Sequence, residues 1–273
     1  MRTKRKKLLL VDADQVFYKY TVAAQYEQVI EGDTGDEFKD AWMFEGEIAL
    51  LSNIAEASAS IASYLTNLSE AYDRTILCFT SSPNYRHSVL STYKGGRATK
   101  RKPLGYWGLV GQYIESSNWE TRKYEGLEAD DVMSIIATHP RYLKDYKVDI
   151  YSDDKDLKQV PNVWILNSGG DTNQPYKLRE ANHWRYTQSL TGDITDGYKG
   201  LKGWGPKKVE KYLDKYYGEP EDVYVDAVVS AYLDAGHTAE QAYQQIDCAC
   251  ILRYSEYDFK HNQPILVEDR MNG

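Results

Sequence analysis

The stretch "GLEADDVMS", residues 126–134, places three carboxylates at the start of a segment with helical periodicity. Glu128, Asp130 and Asp131 repel one another at this spacing, and a bound cation would relieve the repulsion. Hard divalent cations such as Mg²⁺ take carboxylate and water oxygens as ligands. Acidic residues at a helix start are also stabilised by the helix dipole, so this cluster alone does not distinguish a metal site from an ordinary helix terminus.

Three further acidic groups accompany the first. They are Asp12 and Asp14 in "LLLVDAD", Asp154 and Asp156 in "SDDKD", and Asp193 and Asp196 in "TGDITDG". Each group alone is compatible with an Asx turn. Two divalent ions held by such carboxylates about 4 Å apart can stabilise the attacking and leaving oxygens of a phosphodiester displacement. The four groups together favour this two-metal chemistry.

Alternating strands and helices would position these acids. Short apolar runs followed by polar residues predict four buried parallel strands, in "KKLLLVDAD", "RTILCFTSS", "KVDIYSDDKD" and "NVWILNS". Helical spacing follows at Ile48 to Leu68, Leu104 to Ile114 and Leu127 to Ala137. This alternation predicts an α/β fold with a mainly parallel central sheet flanked by helices. Ligands of such sheets gather outside the carboxyl ends of the strands, where Asp12, Asp14, Asp153, Asp154 and Asp156 fall.

A basic segment, "YKGGRATKRKP", covers residues 93–103 and contains no acid. Its cations are Lys94, Arg97, Lys100, Arg101 and Lys102. Such a run either contacts phosphates or forms a solvated loop, and the charge alone does not decide between them.

The glycines of "LTGDITDGYKGLKGWGPKKVEKYL" indicate a tight turn, after which a helix begins at Pro206. They are Gly200, Gly203 and Gly205. Backbone N–H groups at this helix start, with Lys207 and Lys208 beside them, could hold a DNA phosphate without reading bases. An ordinary interhelical loop is the alternative. Beyond Glu219, "DAVVSAYLDAG" and "AEQAYQQIDCACIL" predict two more helices.

Composition excludes several classes of protein. The 273 residues hold three cysteines without a C-x-x-C pair, so neither a disulfide framework nor a zinc site is indicated. The sequence has no apolar run of membrane-spanning length, and the N-terminal basic segment leads into an apolar run too short for a signal peptide. We expect a cytoplasmic protein. The net charge of -8 does not exclude a polyanionic partner, because acids that hold metal ions contribute to it.

Six stretches, in order from Leu8 to Phe259, resemble the flap endonuclease and 5′-exonuclease superfamily, most closely its bacteriophage 5′-to-3′ double-stranded-DNA exonucleases. They are "LLLVDAD", "YKGGRATKRKPLGYW", "LEADDVMSIIA", "SDDKDLKQVPN", "LTGDITDGYKGLKGWG" and "ILRYSEYDF". The resemblance implies metal-dependent hydrolysis of DNA that releases 5′-phosphorylated nucleotides. Two Mg²⁺ or Mn²⁺ ions would take part.

The resemblance also implies residue roles. The first metal region would be held by Asp12, Glu128, Asp130 and Asp131, and the second by Asp154, Asp156, Asp193 and Asp196. Tyr93, Lys94 and Arg97 would begin a helical clamp on the 5′ strand, with Lys94 and Arg97 in the catalytic set. Lys100, Arg101 and Lys102 would continue the DNA contact. Gly203 to Lys208 would form a helix-hairpin-helix-type element, which in relatives can bind a monovalent cation such as K⁺.

On this basis we expect a nuclease core over residues 1–190, with the clamp segment at residues 84–103. Residues 191–273 would hold the helix-hairpin-helix-type element and a helical C-terminal region. The expected partner is double-stranded DNA with 5′ ends, gaps or flaps, bound by a monomer, in the host cytoplasm if the chain is phage-encoded. The balance of exonuclease and flap cleavage, and action on RNA in hybrids, stay open.

One departure from the family pattern keeps alternatives open. After the second strand the family places an acid near the metals, whereas "CFTSSPNY" offers Ser81 and Ser82. Loss of this acid could weaken the first metal, or mark a DNA-end-binding protein without catalysis. A second alternative is a haloacid-dehalogenase-type phosphatase, because "LLLVDADQV" would make Asp12 a nucleophile and Asp14 a general acid. That reading leaves "EADD", the basic segment and the glycine-lysine turn unexplained.

Overall fold

A six-stranded sheet forms the centre of this computed structural model, which describes residues 5–29, 42–44, 48–97 and 101–272. In chain order the strands are β1 (Lys6–Asp12), β2 (Gln25–Val29), β3 (Trp42–Phe44), β4 (Ile48–Ser52), β5 (Arg74–Cys78), β6 (Glu120–Arg122), β7 (Tyr146–Tyr151), β8 (Trp164–Leu166), β9 (Thr172–Asn173), β10 (Tyr257–Asp258) and β11 (Gln263–Pro264). The helices are α1 (Ala13–Ala23), α2 (Ile54–Ser69), α3 (Arg86–Val89), α4 (Tyr106–Ser116), α5 (Ala129–Thr138), α6 (Pro140–Asp145), α7 (Leu178–Thr191), α8 (Pro206–Leu213), α9 (Glu221–Asp234), α10 (Ala239–Ala249) and α11 (Val267–Asn272).

The order of strands in the central sheet is β6-β5-β1-β7-β8-β9. All neighbours are parallel except β8 and β9. The four predicted strands are β1, β5, β7 and β8, and their parallel arrangement confirms the predicted fold class. Strand β6 was missed, because "ETR" has no apolar run.

Strand β1 lies in the middle of the sheet because both of its faces are apolar. Leu8 and Leu10 pack into one hydrophobic cluster with α5, whereas Leu9 and Val11 pack into another with α1, α2 and α4. Burial on both faces removes the polar alternation of a surface strand. Asp12 follows immediately and therefore emerges at the carboxyl edge of the sheet.

The predicted helix over residues 48–68 is wrong in its first turn. Residues 48–52 form β4, which pairs antiparallel with β2 and β3. The helix begins only at Ile54, after the Asn53 side chain accepts a hydrogen bond from the Glu56 N–H at 3.1 Å. Such a cap satisfies one of the free N–H groups at a helix start and sets the boundary. Helices α4 and α5 lie close to their predicted positions.

The C-terminal helices have a hydrophobic core of their own. Side chains from α7 to α10 form it, and α9 and α10 confirm the helices expected beyond Glu219. Ile251, Leu252 and Tyr257 then return to the cluster beneath the central sheet. Since α7 ends at Thr191 and packs with the later helices, the boundary at residue 190 stays a prediction.

The predicted clamp segment, residues 84–103, is described only in part. It contains α3 and a 3-10 turn over Gly95–Arg97, while Lys100 and the side chain of Arg97 lie outside the described residues. Among the helices that the structure describes, none has both the length and the hydrophobicity needed to cross a bilayer.

Candidate active site

A cavity of about 620 Å³ opens where β1 and β7 end and α1 and α5 begin. Six acidic side chains line it: Asp12, Asp14, Glu128, Asp130, Asp153 and Asp154. The carboxyl ends of parallel strands bring together residues that are far apart in the sequence. The predicted acids of the first three groups therefore share one site, with the exception of Asp131 and Asp156.

Asp12 is held at the end of β1 by two hydrogen bonds. Its carboxylate accepts the Gln15 N–H at 3.2 Å, which caps α1, and the Ser152 hydroxyl at 2.9 Å. Burial, followed by the charge of Asp14, raises the pKa of Asp12 to about 7. A carboxylate with so high a pKa lacks a compensating positive charge.

Glu128 and Asp130 stand at the start of α5 in different surroundings. Glu128 accepts the Tyr93 hydroxyl at 3.0 Å and the Lys94 ammonium at 2.5 Å. Burial opposes its ionisation, but Lys94 and Arg86 outweigh burial and lower the pKa of Glu128. Burial, Asp131 and Glu128 instead raise the pKa of Asp130 well above its usual range.

The segment that carries Lys94 is hydrogen-bonded to the "TGDITDG" turn. The Lys94 backbone adopts a φ of 49°, and its N–H donates to the Asp196 carbonyl oxygen at 2.7 Å. The Thr92 hydroxyl donates to the Gly197 carbonyl oxygen at 2.8 Å. A Cβ on Gly197 would lie 2.0 Å from the Thr92 carbonyl oxygen, so only glycine permits this approach.

A smaller cavity adjoins the first and contains part of the predicted second metal region. Its acidic lining residues are Glu128, Asp130, Asp154, Asp156 and Asp196. Burial, then Asp154, raises the pKa of Asp156 to about 6. Asp193 is not among the lining residues; its carboxylate accepts the N–H groups of Thr195 and Asp196 at 2.8 and 3.3 Å and shapes the turn.

Asp131 lies apart from the other acids, contrary to the sequence interpretation. Its carboxylate is fully buried and forms two hydrogen bonds with Arg86, at 2.6 and 2.8 Å. It also accepts the backbone N–H of Leu252 at 2.9 Å. This geometry gives Asp131 a structural role in joining α5 to residues 250–252, and we leave it out of the ligand set.

Of the residues after β5, Thr80 lines the larger cavity. Ser81, at which the family resemblance places an acid, is buried, and its N–H donates to the Leu127 carbonyl oxygen at 2.7 Å. A role for position 81 beside the metal stays a prediction. The backbone N–H of Thr80 donates to the Asp14 carboxylate at 2.9 Å, so an acid from α1 already occupies this edge of the site.

The predicted DNA-contacting residues fall into two places. Tyr93 is buried beside Glu128, and Lys102 lines the larger cavity with its ammonium 4.6 Å from the centre of the Tyr106 ring. Arg101 is exposed. The others line neither cavity: Gly203 and Gly205 lie in the turn before α8, and Lys207 and Lys208 lie in the first turn of α8. Tyr18 and Trp107 also line the larger cavity and were not foreseen.

Comparison with known proteins identifies the family. The sequence matches the 5'-3' exonuclease, N-terminal resolvase-like domain, over residues 7–185. The chain belongs to the 5′-3′ exonuclease family. It is 31% identical to an exonuclease of Escherichia phage T7, over 93% of this chain and 91% of the relative. It is 28% identical to an exodeoxyribonuclease of Enterobacteria phage T3, over 93% and 90% of the two chains.

Solved structures with lower sequence identity share the fold. A phage T5 protein co-crystallised with metal ions superposes with a TM-score of 0.59 at 16% identity, over 89% of each chain. A phage T5 flap endonuclease in a complex with DNA and metal ions gives a TM-score of 0.56 at 17% identity, also over 89% of each chain. Family membership confirms the resemblance seen in the sequence and decides against the phosphatase alternative.

The lining residues of this 5′-3′ exonuclease fit a hard divalent cation. The acidic donors are all carboxylate oxygens, and no His or Cys lines the larger cavity. Within the described residues, no three Asp, Glu, His or Cys side chains converge closely enough to chelate an ion directly. Mg²⁺ usually keeps several waters and takes only one or two carboxylates, so a roomy cavity with separated acids suits it.

Proposed function

We propose that this protein is a metal-dependent 5′-to-3′ exonuclease that hydrolyses duplex DNA from 5′ ends and releases 5′-phosphorylated nucleotides. The observation that carries the proposal is the cavity into which Asp12, Glu128, Asp130 and Asp154 bring their carboxylates, with Lys94 also in its lining, at the carboxyl edge of the sheet of a 5′-3′ exonuclease. The names of the phage T7 and T3 relatives support the exonuclease activity.

The ligands in this proposal are Asp12, Glu128, Asp130 and Asp154 in the larger cavity, and Asp156 and Asp196 in the smaller one. Bound Mg²⁺ or Mn²⁺ ions supply Lewis acidity and neutralise negative charge at the scissile phosphate. No side chain is needed as a general base. The hydrogen bonds of Asp12 with Ser152 and Gln15 fix its direction before any ligand binds.

Lys94 provides positive charge for the scissile phosphate. Its ammonium lies 2.5 Å from Glu128 and 3.9 Å from an Asp196 oxygen, between the two cavities. The Glu128, Asp130 and Asp196 carboxylates outweigh its burial and raise the pKa of Lys94, so the side chain is protonated at neutral pH. A phosphate oxygen that enters the cavity meets this ammonium beside the acids.

The DNA strand leaves the site along cationic and aromatic surface. Lys102 lies beside the larger cavity, where Trp107 is 63% exposed and Tyr18 is 47% exposed. Aromatic rings of this kind stack on unpaired bases without sequence preference. Lys207 and Lys208 at the start of α8 contact phosphates further along the duplex. The glycine turn before them would hold K⁺.

Product analysis on three 5′-labelled substrates tests the proposal: a blunt duplex, a gapped duplex and a flap, each with and without Mg²⁺. We expect labelled mononucleotides from the duplex only when Mg²⁺ is present. An RNA-DNA hybrid in the same series shows whether RNA is cut. Binding to the ends without cleavage by the unaltered protein would instead indicate a DNA-end-binding protein.

A pair of neighbouring variants connects the activity to the site. Asp154→Asn removes an exposed carboxylate of the cavity and should nearly abolish hydrolysis while leaving DNA binding intact. Asp153→Asn is the matched control, because the Asp153 oxygens already bind Gln15 and Ser168. It should retain cleavage. Equal activity of Asp154→Asn and the parent protein would contradict the proposed site.

A further inference from the structure

Two hydrogen bonds hold the Asp14 carboxylate at the edge of the larger cavity. Asp14 stands in the first turn of α1, and its carboxylate bridges toward the end of β5. One oxygen accepts the Thr80 N–H at 2.9 Å, and the other accepts the Tyr106 hydroxyl at 2.8 Å. Tyr106 is fully buried, so its hydroxyl provides a fixed anchor.

These two hydrogen bonds orient the carboxylate without using its full capacity. An ionised carboxylate offers about four lone-pair sites, and Asp14 uses one on each oxygen. Both described donors to Asp14, the Thr80 N–H and the Tyr106 hydroxyl, are uncharged. Asp14 lines the larger cavity beside Asp12, Glu128, Asp130 and Asp154. Three lysines, Lys19, Lys94 and Lys102, line it as well, and the salt bridges of Lys94 are with Glu128 and Asp196.

We propose that Asp14 is a ligand of the divalent cation in the larger cavity, acting directly or through one water, and that Tyr106 is its positioning residue. The segment after β5 contributes Thr80, and no acid, to this cavity. Asp14 would supply the missing carboxylate from α1. This inference rests on the proposed metal-dependent function, and it adds a residue that the ligand sets implied by the family resemblance did not contain.

Asp153 is a carboxylate of the same cavity whose hydrogen bonds differ from those of Asp14. It lines the same cavity, but one oxygen accepts Gln15 Nε2 at 2.6 Å and the Ser168 hydroxyl at 2.7 Å, and the other accepts the Ser168 N–H at 2.7 Å. These bonds direct it toward Ser168. It is therefore a matched control for charge removal at the cavity.

Calorimetric titration of the full chain with Mn²⁺, in the absence of DNA, tests the proposal. Asp14→Asn should weaken Mn²⁺ binding by on the order of tenfold or more, since loss of one coordinating or supporting group typically costs 10- to 100-fold. Asp153→Asn should bind Mn²⁺ as the parent protein does. Tyr106→Phe should weaken binding less than Asp14→Asn, because the Thr80 N–H still holds the carboxylate.

A rescue variant separates ligation from a general loss of structure. Thr80→Asp in the Asp14→Asn background places a carboxylate at the same edge from β5, and it should restore most of the Mn²⁺ affinity. Unchanged affinity in Asp14→Asn would overturn the proposal, and so would equal losses in Asp14→Asn and Asp153→Asn. If Asp14→Asn does not fold, Asp14→Ser is titrated in its place under the same criteria.

Cleavage assays distinguish failure of this inference from failure of the proposed function. If the parent protein cuts DNA with Mn²⁺ and Asp14→Asn binds the ion equally well, only the role of Asp14 is wrong. If the parent binds Mn²⁺ through Asp14 and cuts no DNA, only the nuclease function is wrong. If the parent binds no Mn²⁺, both are wrong.

Discussion

The Lys94 ammonium lies 2.5 Å from a carboxylate oxygen of Glu128, in a cavity that five further acidic side chains line. Lys94 reaches it from a left-handed backbone conformation that is uncommon for a residue with a side chain. Lys94 provides one positive charge beside the acids. In the proposed function, the metal ions supply the further positive charge that the scissile phosphate requires.

Lys94→Met should lower the rate of DNA cleavage by about 100-fold or more, as loss of one preorganised charged donor commonly does. Mn²⁺ binding without DNA should not weaken, because the substitution removes a cation that competes for Glu128. Single-turnover cleavage and calorimetry measure the two effects. Lys144→Met is the control, since Lys144 is exposed on α6 before β7, at the opposite edge of the sheet. Weaker Mn²⁺ binding in Lys94→Met would contradict this account.

Asp12→Asn should stabilise the metal-free protein at high pH. The pKa of Asp12 is raised from 3.8 to about 7, mainly by burial, so the folded state binds a proton more tightly than the unfolded state. The free energy of unfolding of the parent protein therefore falls as the pH rises from 3.8 to about 7. Asparagine does not ionise, so the free energy of unfolding of Asp12→Asn does not fall over this pH range. Thermal unfolding in a chelator should show a gain on the order of 2 kcal/mol at pH 8, discounted from about 1.4 kcal/mol per pKa unit, and almost none near pH 4. A gain independent of pH would show that packing causes it.

Asp131→Asn should destabilise the fold, because it leaves the buried guanidinium of Arg86 without its charge partner. Removing one partner of a buried ion pair costs about 3–5 kcal/mol. Arg86→Met should cost a similar amount, and the double variant should cost clearly less than the sum. Urea unfolding of the four proteins at one pH gives the coupling. Additive losses would mean that the pair does not act as a unit.

Gly197→Ala and Gly203→Ala isolate the contact between residues 92–94 and the "TGDITDG" turn. Both glycines have a φ of 78°, so alanine carries the same backbone penalty, about 1–2 kcal/mol, at each. Only at Gly197 would the new Cβ meet backbone, the Thr92 carbonyl at 2.0 Å. We expect Gly197→Ala to be the less stable variant and to lose cleavage. Equal melting temperatures of the two variants would show that the contact between Thr92 and Gly197 can rearrange with little loss of stability.

Replacing Lys102, Lys207 or Lys208 by alanine should weaken binding to all DNA sequences alike. If each contacts one phosphate, the slope of log affinity against log salt should fall by about one unit. Binding titrations at several salt concentrations measure it, with Lys144→Ala as the control. An unchanged slope in all three variants would make these lysines solvated surface. The same expectation holds for Arg101, and it extends to Arg97 and Lys100.

Much of the sheet follows from local sequence patterns. The run of Leu8 to Val11 could be recognised because a central strand is apolar on both faces. Residues 48–52 were not recognised as a strand, since a short apolar run that leads into a helix has no distinguishing period. Pairing with β3, which lies just before it, and with β2, which lies about twenty residues earlier, decides its conformation.

The sequence predicted which acids lie together in the site. It did not predict the direction in which each side chain points. Asp12, Glu128, Asp130 and Asp154 share a cavity because strand ends and helix starts share one edge. Asp130 and Asp131 are neighbours, yet successive helix residues point about 100° apart. The partners that hold Asp131, Arg86 and Leu252, lie 45 and 121 residues away in sequence. No local pattern contains that information.

The hydrogen bond from the Lys94 N–H to the Asp196 carbonyl oxygen joins the segment that pairs with Glu128 to the turn that carries Asp196. Lys94 and Glu128 line both cavities, so a shift of this segment changes the surroundings of both. Two ligands that act on one such unit are linked, and the factor by which each changes the affinity of the other is the same in both directions. In the proposed function, a 5′ phosphate that draws Lys94 from Glu128 would tighten the binding of the metal ion by the same factor as the ion tightens the binding of the DNA.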